Sequence, residues 1–225
     1  MINLLNLFFP KVCLSCTAHL ADNELHLCTE CRHELPVTNI HFSNDDFIKK
    51  LFYGRLKLEY ATALLYYSKK GLVQELLHNL KYRGYQDVGL CLGEWLGAEL
   101  TEVHQFKTID LVIPVPLHKS KQRKRGFNQV TKFGQAIASS LDIPYRDNIL
   151  LKVTNTKTQV FKDRLKRWSD SGAVFKIENT GQIENKHILL VDDIITTGAT
   201  IESCAAELQK AKNVKLSIAT MAIVN

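Results

Sequence analysis

The chain of 225 residues reads as an α/β protein, a mostly parallel sheet flanked by helices, with a small four-cysteine metal module in front of it. Three observations predict that class. Short apolar runs of strand character at 61–67 (ATALLYY), 110–114 (DLVIP), 188–191 (ILLV) and 214–224 (VKLSIATMAIV) alternate with segments of helical apolar spacing. Right-handed βαβ crossovers produce that order. Four cysteines fall as two C-x-x-C pairs near the start. An Asp-Asp-Ile-Ile-Thr-Thr-Gly segment then joins a strand to a helix, where parallel sheets bind their ligands.

Taken in order, residues 2–9 are apolar but far too few to span a bilayer. They lack the charged start and cleavage site of a signal peptide. They read as a docking or core segment, and the chain is expected to be cytoplasmic. Cys13-x-x-Cys16 and Cys28-x-x-Cys31 follow, with 11 residues between the pairs. Each pair can place two thiolates on one turn, and two such turns close a tetrahedral zinc site. A disulfide framework would need a secreted chain, and a redox pair would not need the second copy. The expected ion is structural, since four thiolates leave no open position. His19, His26 and His33 then have no coordination slot and are expected at the surface.

The zinc segment, 11–36, is too small to bury a core without its metal. A polar stretch follows to about residue 59, with Asn44, Asp45 and Asp46 as a loop or helix cap. The division falls there: 1–58 as zinc-ribbon module and linker, 59–225 as the larger domain. After the strand at 61–67, Leu72, Val73, Leu76, Leu77 and Leu80 mark one helix. Val88, Leu92, Trp95, Leu96 and Leu100 mark a second. The strand at 110–114 is stopped by Pro114 and Pro116, and 127–141 has helical spacing through Val130, Phe133, Ile137 and Leu141. A weaker strand is expected at 173–177. Cys91 and Cys204 fall in helical apolar patterns and read as core residues.

The most informative stretch is ILLVDDIITTGAT, 188–200. A buried strand should end at the carboxylates Asp192 and Asp193. A short loop of Thr196, Thr197, Gly198, Ala199 and Thr200 should lead into a helix through Ile201, Cys204, Ala205 and Leu208. Backbone N–H groups at a helix start are unpaired and bind anions. Gly198 allows close approach, and the threonine hydroxyls donate. The carboxylates can accept hydrogen bonds from neighbouring sugar hydroxyls. Together these parts describe a site for a ribose 5-phosphate.

Charge is unevenly spread. The net charge is +6, but residues 118–168 hold 13 Lys or Arg against 3 Asp or Glu. Lys119, Lys121, Arg123, Lys124 and Arg125 form the densest run, and Lys162, Arg164, Lys166 and Arg167 a second. Such runs are commonly solvated loops. Here they also suit a polyanionic substrate or a nucleic-acid backbone, and composition does not separate the two. The first run leads into Arg125-Gly126-Phe127-Asn128-Gln129 before a helix, again an anion-binding arrangement. Residues 154–168 have no clean period and read as a lid, with Thr158, Gln159, Arg164 and Arg167 as its polar candidates.

These motifs carry a resemblance. VDDIITTGAT resembles the signature of type I phosphoribosyltransferases, which use phosphoribosyl pyrophosphate (PRPP). The whole combination resembles the ComF family, also called GntX-type: four cysteines first, IPVPLH with RGFNQ in the middle, VDDIITTGAT last. Leu80-Lys81-Tyr82-Arg83-Gly84 also looks like that family's Leu-Lys-Tyr element. The resemblance implies the type I phosphoribosyltransferase fold with an N-terminal zinc ribbon. It implies that Asp192 and Asp193 hold the ribose while Ile194 and Thr196, Thr197, Gly198, Ala199 and Thr200 hold its 5′-phosphate. Ala199 stands where several purine enzymes have a second glycine. Val115, Pro116, Arg123 and Arg125 would serve the pyrophosphate, so Asp192, Asp193 and Arg125 are the candidate catalytic residues. Mg²⁺ would arrive with PRPP. The implied role is natural competence, the handling of internalised single-stranded DNA, with Lys119, Lys121 and Lys124 as its contacts. Alternatives are a catalytically silent, PRPP-responsive nucleic-acid-binding or adaptor protein that docks a helicase or recombination protein, and a nucleobase-salvage enzyme. A pocket for the acceptor base is not identifiable from sequence.

Overall fold

The computed structural model describes residues 10–43, 45–153 and 174–224. The strands, in chain order, are β1 (Ala61–Tyr67), β2 (Leu111–Pro114), β3 (Leu150–Lys152), β4 (Phe175–Ile177), β5 (His187–Ile195) and β6 (Lys215–Val224). Four of them form one sheet in the order β1-β6-β5-β2. Every pairing in it is parallel, with Ala61 opposite Ile218, Asp192 opposite Thr220 and Leu111 opposite Ile188. The runs at 61–67 and 214–224 become strands because they are apolar at nearly every position, as a sheet covered on both faces requires.

Helices α1 (Thr29–Glu34), α2 (Ile40–Ser43) and α3 (Phe47–Lys50) precede β1, and α4 (Leu72–Tyr82) and α5 (Asp87–Glu102) follow it. Then come α6 (Lys119–Arg125), α7 (Thr131–Ser140) and α8 (Ala199–Leu208). On one face of the sheet, Leu189, Val191, Ala219 and Met221 pack with α4, α5 and α7. On the other, Ile188, Leu190 and Ile218 pack with α8, the antiparallel β3–β4 pair, and Ile48 and Phe52 from the stretch before β1. Helices α5 and α7 touch at their backbones. A Cβ on Gly93 would lie 2.6 Å from the Phe133 carbonyl oxygen, so a side chain there would force the pair apart.

The four-cysteine segment joins the first face. Leu27, Cys31 and Leu35 share its core with Leu76, Leu77 and Leu80. Buried Asn79 on α4 donates to the Leu14 carbonyl at 2.9 Å, and the Arg32 guanidinium lies 4.9 Å from the centre of the Trp95 ring. The connecting stretch is pinned as well: Val37 bridges Leu65 on β1, and Ile40 and Leu58 are buried.

Several boundaries differ from the sequence reading, each for a physical reason. The strand expected to end at the acidic pair runs on to Ile195, because β6 continues alongside as far as Ile223. The helix expected from residue 127 begins at Thr131. Ala199 and Thr200, expected in the loop, form the first turn of α8. The basic run, read as a loop, is the helix α6, capped by His118 accepting from the Ser120 N–H and closed by Gly126 at φ +87°. The weak strand near 173 is β4, paired with β3 in a two-stranded sheet of its own. Residues 2–9 and the lid candidates Thr158, Gln159, Arg164 and Arg167, with Lys162 and Lys166, lie outside the described residues.

Candidate functional site

Asp192 and Asp193 are both buried near the C-terminal end of β5. Successive side chains of a strand project to opposite faces, and the partners of this pair follow that rule. Asp193 Oδ2 lies 2.7 Å from Lys81 Nζ at the end of α4. Asp192 faces the α8 side, where its charge acts on Cys204 of α8 and on Lys152 at the end of β3. Burial first, then the neighbouring Asp193, push the Asp192 carboxyl up to about 8. The Asp193 N–H, which donates to Asp192 Oδ1 at 2.8 Å, pulls the other way with Lys81 and Lys152. Burial also lowers Lys152 and raises the Cys204 thiol. The acidic pair is thus held between a lysine on each side of its strand.

Ile195 ends the strand, and Thr196 and Thr197 are exposed beyond it. Gly198 sits at φ +78°, where L-residues are strained, and precedes the first turn of α8. A Cβ there would come within 2.5 Å of the buried Phe52 ring. Close packing from behind and a positive φ therefore both require glycine. The Ala199 N–H donates to Thr197 Oγ1 at 3.5 Å, and the first turn of α8 opens at this loop, an arrangement suited to a phosphate. Arg55 ties the same helix to the stretch before β1 through Glu202 at 2.8 Å.

The second predicted loop divides. Val115 is buried and Pro116 half-buried after β2, and Asn128 Nδ2 donates to the Val115 carbonyl at 3.0 Å. Arg125 is half-buried, donates to Gln129, and lies 6.0 Å over the Tyr82 ring. Lys119, Lys121, Arg123 and Lys124 are all exposed on α6. The C-terminal end of α4 therefore meets both predicted loops: Lys81 reaches the acidic pair, and Tyr82 reaches Arg125. Sequence reasoning noted Lys81 only as part of a family element. Its role depends on where α4 lies across β5, which local spacing does not encode.

At the other end of the chain, the Sγ atoms of Cys13, Cys16, Cys28 and Cys31 all lie within 4.8 Å of one another. Zn–S bonds of about 2.3 Å in a tetrahedron place sulfurs about 3.8 Å apart, and Cys16 and Cys28 are separated by 3.7 Å. Burial would raise the Cys13 thiol, but N–H groups of Cys28, Cys16 and Ser15 outweigh it and bring Cys13 down to about 7. Burial and the sulfurs of Cys16 and Cys28 raise Cys31. An all-sulfur donor set of this size fits a soft, tetrahedral cation. His19 and His33 are exposed and His26 is half-buried, and the cluster consists of the four cysteines alone among the described residues.

Comparison with known proteins agrees with this geometry. Residues 131–225 match the model of the phosphoribosyl transferase domain. Over 110 residues the chain is 36% identical to Competence protein F of Haemophilus influenzae, covering 48% of this chain and 47% of that protein. It is 27% identical over 212 residues to Competence protein ComFC of Bacillus subtilis, covering 94% of this chain and 83% of that one. The chain is thus similar to the ComF competence proteins, and its residues 131–225 are similar to a phosphoribosyl transferase domain. A further relative is DNA utilization protein YhgH of Escherichia coli, 27% identical over 135 residues and covered at 58% on both sides. The chain thus spans about half the length of some curated relatives it matches. Among solved structures, the glutamine PRPP amidotransferase of B. subtilis aligns with 63% of this chain and 30% of its own, at TM-score 0.43 and 19% identity. Among the described residues, no helix is long and apolar enough to cross a membrane.

Proposed function

We propose that this chain binds PRPP with Mg²⁺ and serves in natural competence, handling internalised single-stranded DNA in the cytoplasm. Asp192 and Asp193 take the ribose hydroxyls, with Ile194 in the strand between pair and loop. Thr196, Thr197, Gly198, Ala199 and Thr200 take the 5′-phosphate, and Val115, Pro116, Arg123 and Arg125 face the pyrophosphate. Residues 1–58 are the zinc module and its linker, 59–225 the PRPP domain. Cys13, Cys16, Cys28 and Cys31 hold a zinc ion that folds the module.

The observation that supports this best is the buried acidic pair, neutralised by Lys81 and placed one short loop before the start of α8. A bare strand end would not need two buried carboxylates. A diol donating two hydrogen bonds does, and charge-assisted bonds of that kind contribute roughly 1.5–3 kcal/mol each. Calorimetry with PRPP and Mg²⁺ tests it. The double substitution Asp192→Ala, Asp193→Ala should abolish detectable binding, and Thr197→Val should weaken it less. Wild-type affinity in the double variant would reduce the motif to a strand end.

The exposed lysines of α6 favour DNA as the partner. If PRPP is also a substrate, departure of pyrophosphate leaves positive charge on the sugar, which the Asp193 carboxylate, and Asp192 in its ionised form, stabilise. Arg125, held against Tyr82, is placed to balance the leaving group. Offering single-stranded DNA and free bases as acceptors while following pyrophosphate release separates transferase from ligand-regulated binding.

A further inference from the structure

The stretch between the zinc module and β1 contains a feature that the PRPP site does not use. A cavity of about 660 Å³ opens beside it, lined by Leu56 and Leu58 as well as by Lys49, Lys50, Tyr53 and Lys57, with Arg55 and Asp46 also at its border. Tyr53 is 88% exposed. Gly54, at φ +74°, turns the chain directly after it. Lys49 is neutralised by Asp46 at 2.8 Å and Arg55 by Glu202 at 2.8 Å. Lys50 acts on Asp46 only at longer range, and neither it nor Lys57 forms a salt bridge among the described residues, so the rim keeps a positive excess.

Leu56 and Leu58 make part of the lining apolar, but a purely apolar ligand would leave the lysines of the rim without a counter-charge. An anion without rings would need no aromatic group. A phosphodiester chain with unpaired bases uses both, since its phosphates take the lysines and a base can lie on the open tyrosine face. A duplex cannot do this, because its bases are already stacked. We infer that Tyr53, Lys50 and Lys57 form a docking site for a single-stranded nucleic-acid segment, separate from the α6 lysines. The inference rests on the DNA half of the function proposed above and is independent of its PRPP half.

The site is also mechanically joined to the phosphate loop. Phe52, next to Tyr53, packs directly behind Gly198, and Arg55 holds Glu202 on α8. A strand docked at Tyr53 therefore sits on the same short stretch that backs the predicted 5′-phosphate site.

Fluorescence anisotropy with labelled oligothymidine on the full chain tests it. Tyr53→Ala should lose affinity by about fivefold or more, the range for removing one base-stacking ring. Tyr53→Phe should restore it, and Lys50→Gln with Lys57→Gln should weaken binding and flatten its salt dependence. Because Tyr53 is exposed, zinc content, melting temperature and PRPP affinity should not change in Tyr53→Ala. A duplex of the same length should bind the wild type and Tyr53→Ala equally. Unchanged oligothymidine affinity in Tyr53→Ala, with loss only when the α6 lysines are neutralised, overturns this site and leaves the proposed function standing. An equal loss for heparin, which has no bases, also overturns it. Failure of the wild type to bind single strands removes both this site and the DNA role, while PRPP calorimetry reports on the rest.

Discussion

Asp192 shows how burial sets the chemistry of one residue. Its carboxyl is pushed up to about 8 by burial and then by Asp193, far above an unfolded aspartate near 3.9. Folding therefore takes up a proton between those values. The stability linked to this group is full below about pH 4 and is lost as pH rises through about 8. Asp192→Asn cannot ionise and escapes that loss. Its melting temperature relative to wild type should climb from pH 5 to pH 8 and then level off. A gap that stays flat across this range would show that Asp192 is ionised throughout. Taking the difference between the two proteins cancels any acid lability of the four-cysteine site, which both share. Lys81 acts on the neighbouring carboxylate. Lys81→Met leaves Asp193 buried without its partner, and breaking a buried pair from one side costs about 3–5 kcal/mol. The Lys81 side chain is 22% exposed, so the cost should fall at or below the lower end, and a thermal melt would measure it.

Elements carry the next set of constraints. Gly198→Ala introduces a Cβ into the Phe52 ring and forces alanine into a left-handed conformation, so it should lower stability and abolish PRPP binding together. Adding Phe52→Leu relieves the collision but not the backbone strain. The double variant should recover part of the melting temperature and little of the binding. Full recovery of both would mean that only the collision mattered. Not every element was legible from sequence. Strands β1 and β6 were, as apolar runs buried on both faces, and helices α4 and α5 were, through apolar residues at helical spacing. Helix α6 was not, since KSKQRKR has no apolar residue to mark a face and none of its residues is buried. Strand β3 was obscured for another reason, and β4 was legible only as a weak strand: three-residue strands are shorter than any pattern that alternation can reveal. At the site, Asp192, Asp193 and Gly198 were readable as a contiguous motif. Lys81 and Phe52 were not, because their roles arise from packing across more than a hundred residues of chain.

At the scale of the whole molecule, metal and DNA can be tested separately. The chain should contain about one zinc, retained when Cys91 is replaced and lost when Cys13 is. Arg32 of α1 lies over Trp95, so chelation should change tryptophan emission as the module comes away from α5. An unchanged spectrum after verified zinc loss would mean that the module keeps its shape without metal. For DNA, affinity for a single strand should fall steeply with salt, and neutralising Lys119, Lys121 and Lys124 should flatten the slope by roughly 2 units at about 0.7 per phosphate. PRPP should compete with DNA if α6 serves both ligands. Salt-independent binding would rule out this helix as the contact.

Asn79 and Lys81 stand two positions apart on α4, one holding the Leu14 carbonyl of the cysteine module, the other the acidic pair. The two halves of the chain are thus not interchangeable cassettes. A module transplanted from a relative must present a carbonyl where Leu14 presents one, or the buried amide of Asn79 loses its acceptor at the end of the helix that aims Lys81. If the acidic pair holds a ribose as proposed, divergence in the cysteine module is therefore constrained by chemistry at the sugar, and chimaeras joined at the linker should fail first in PRPP binding rather than in zinc content.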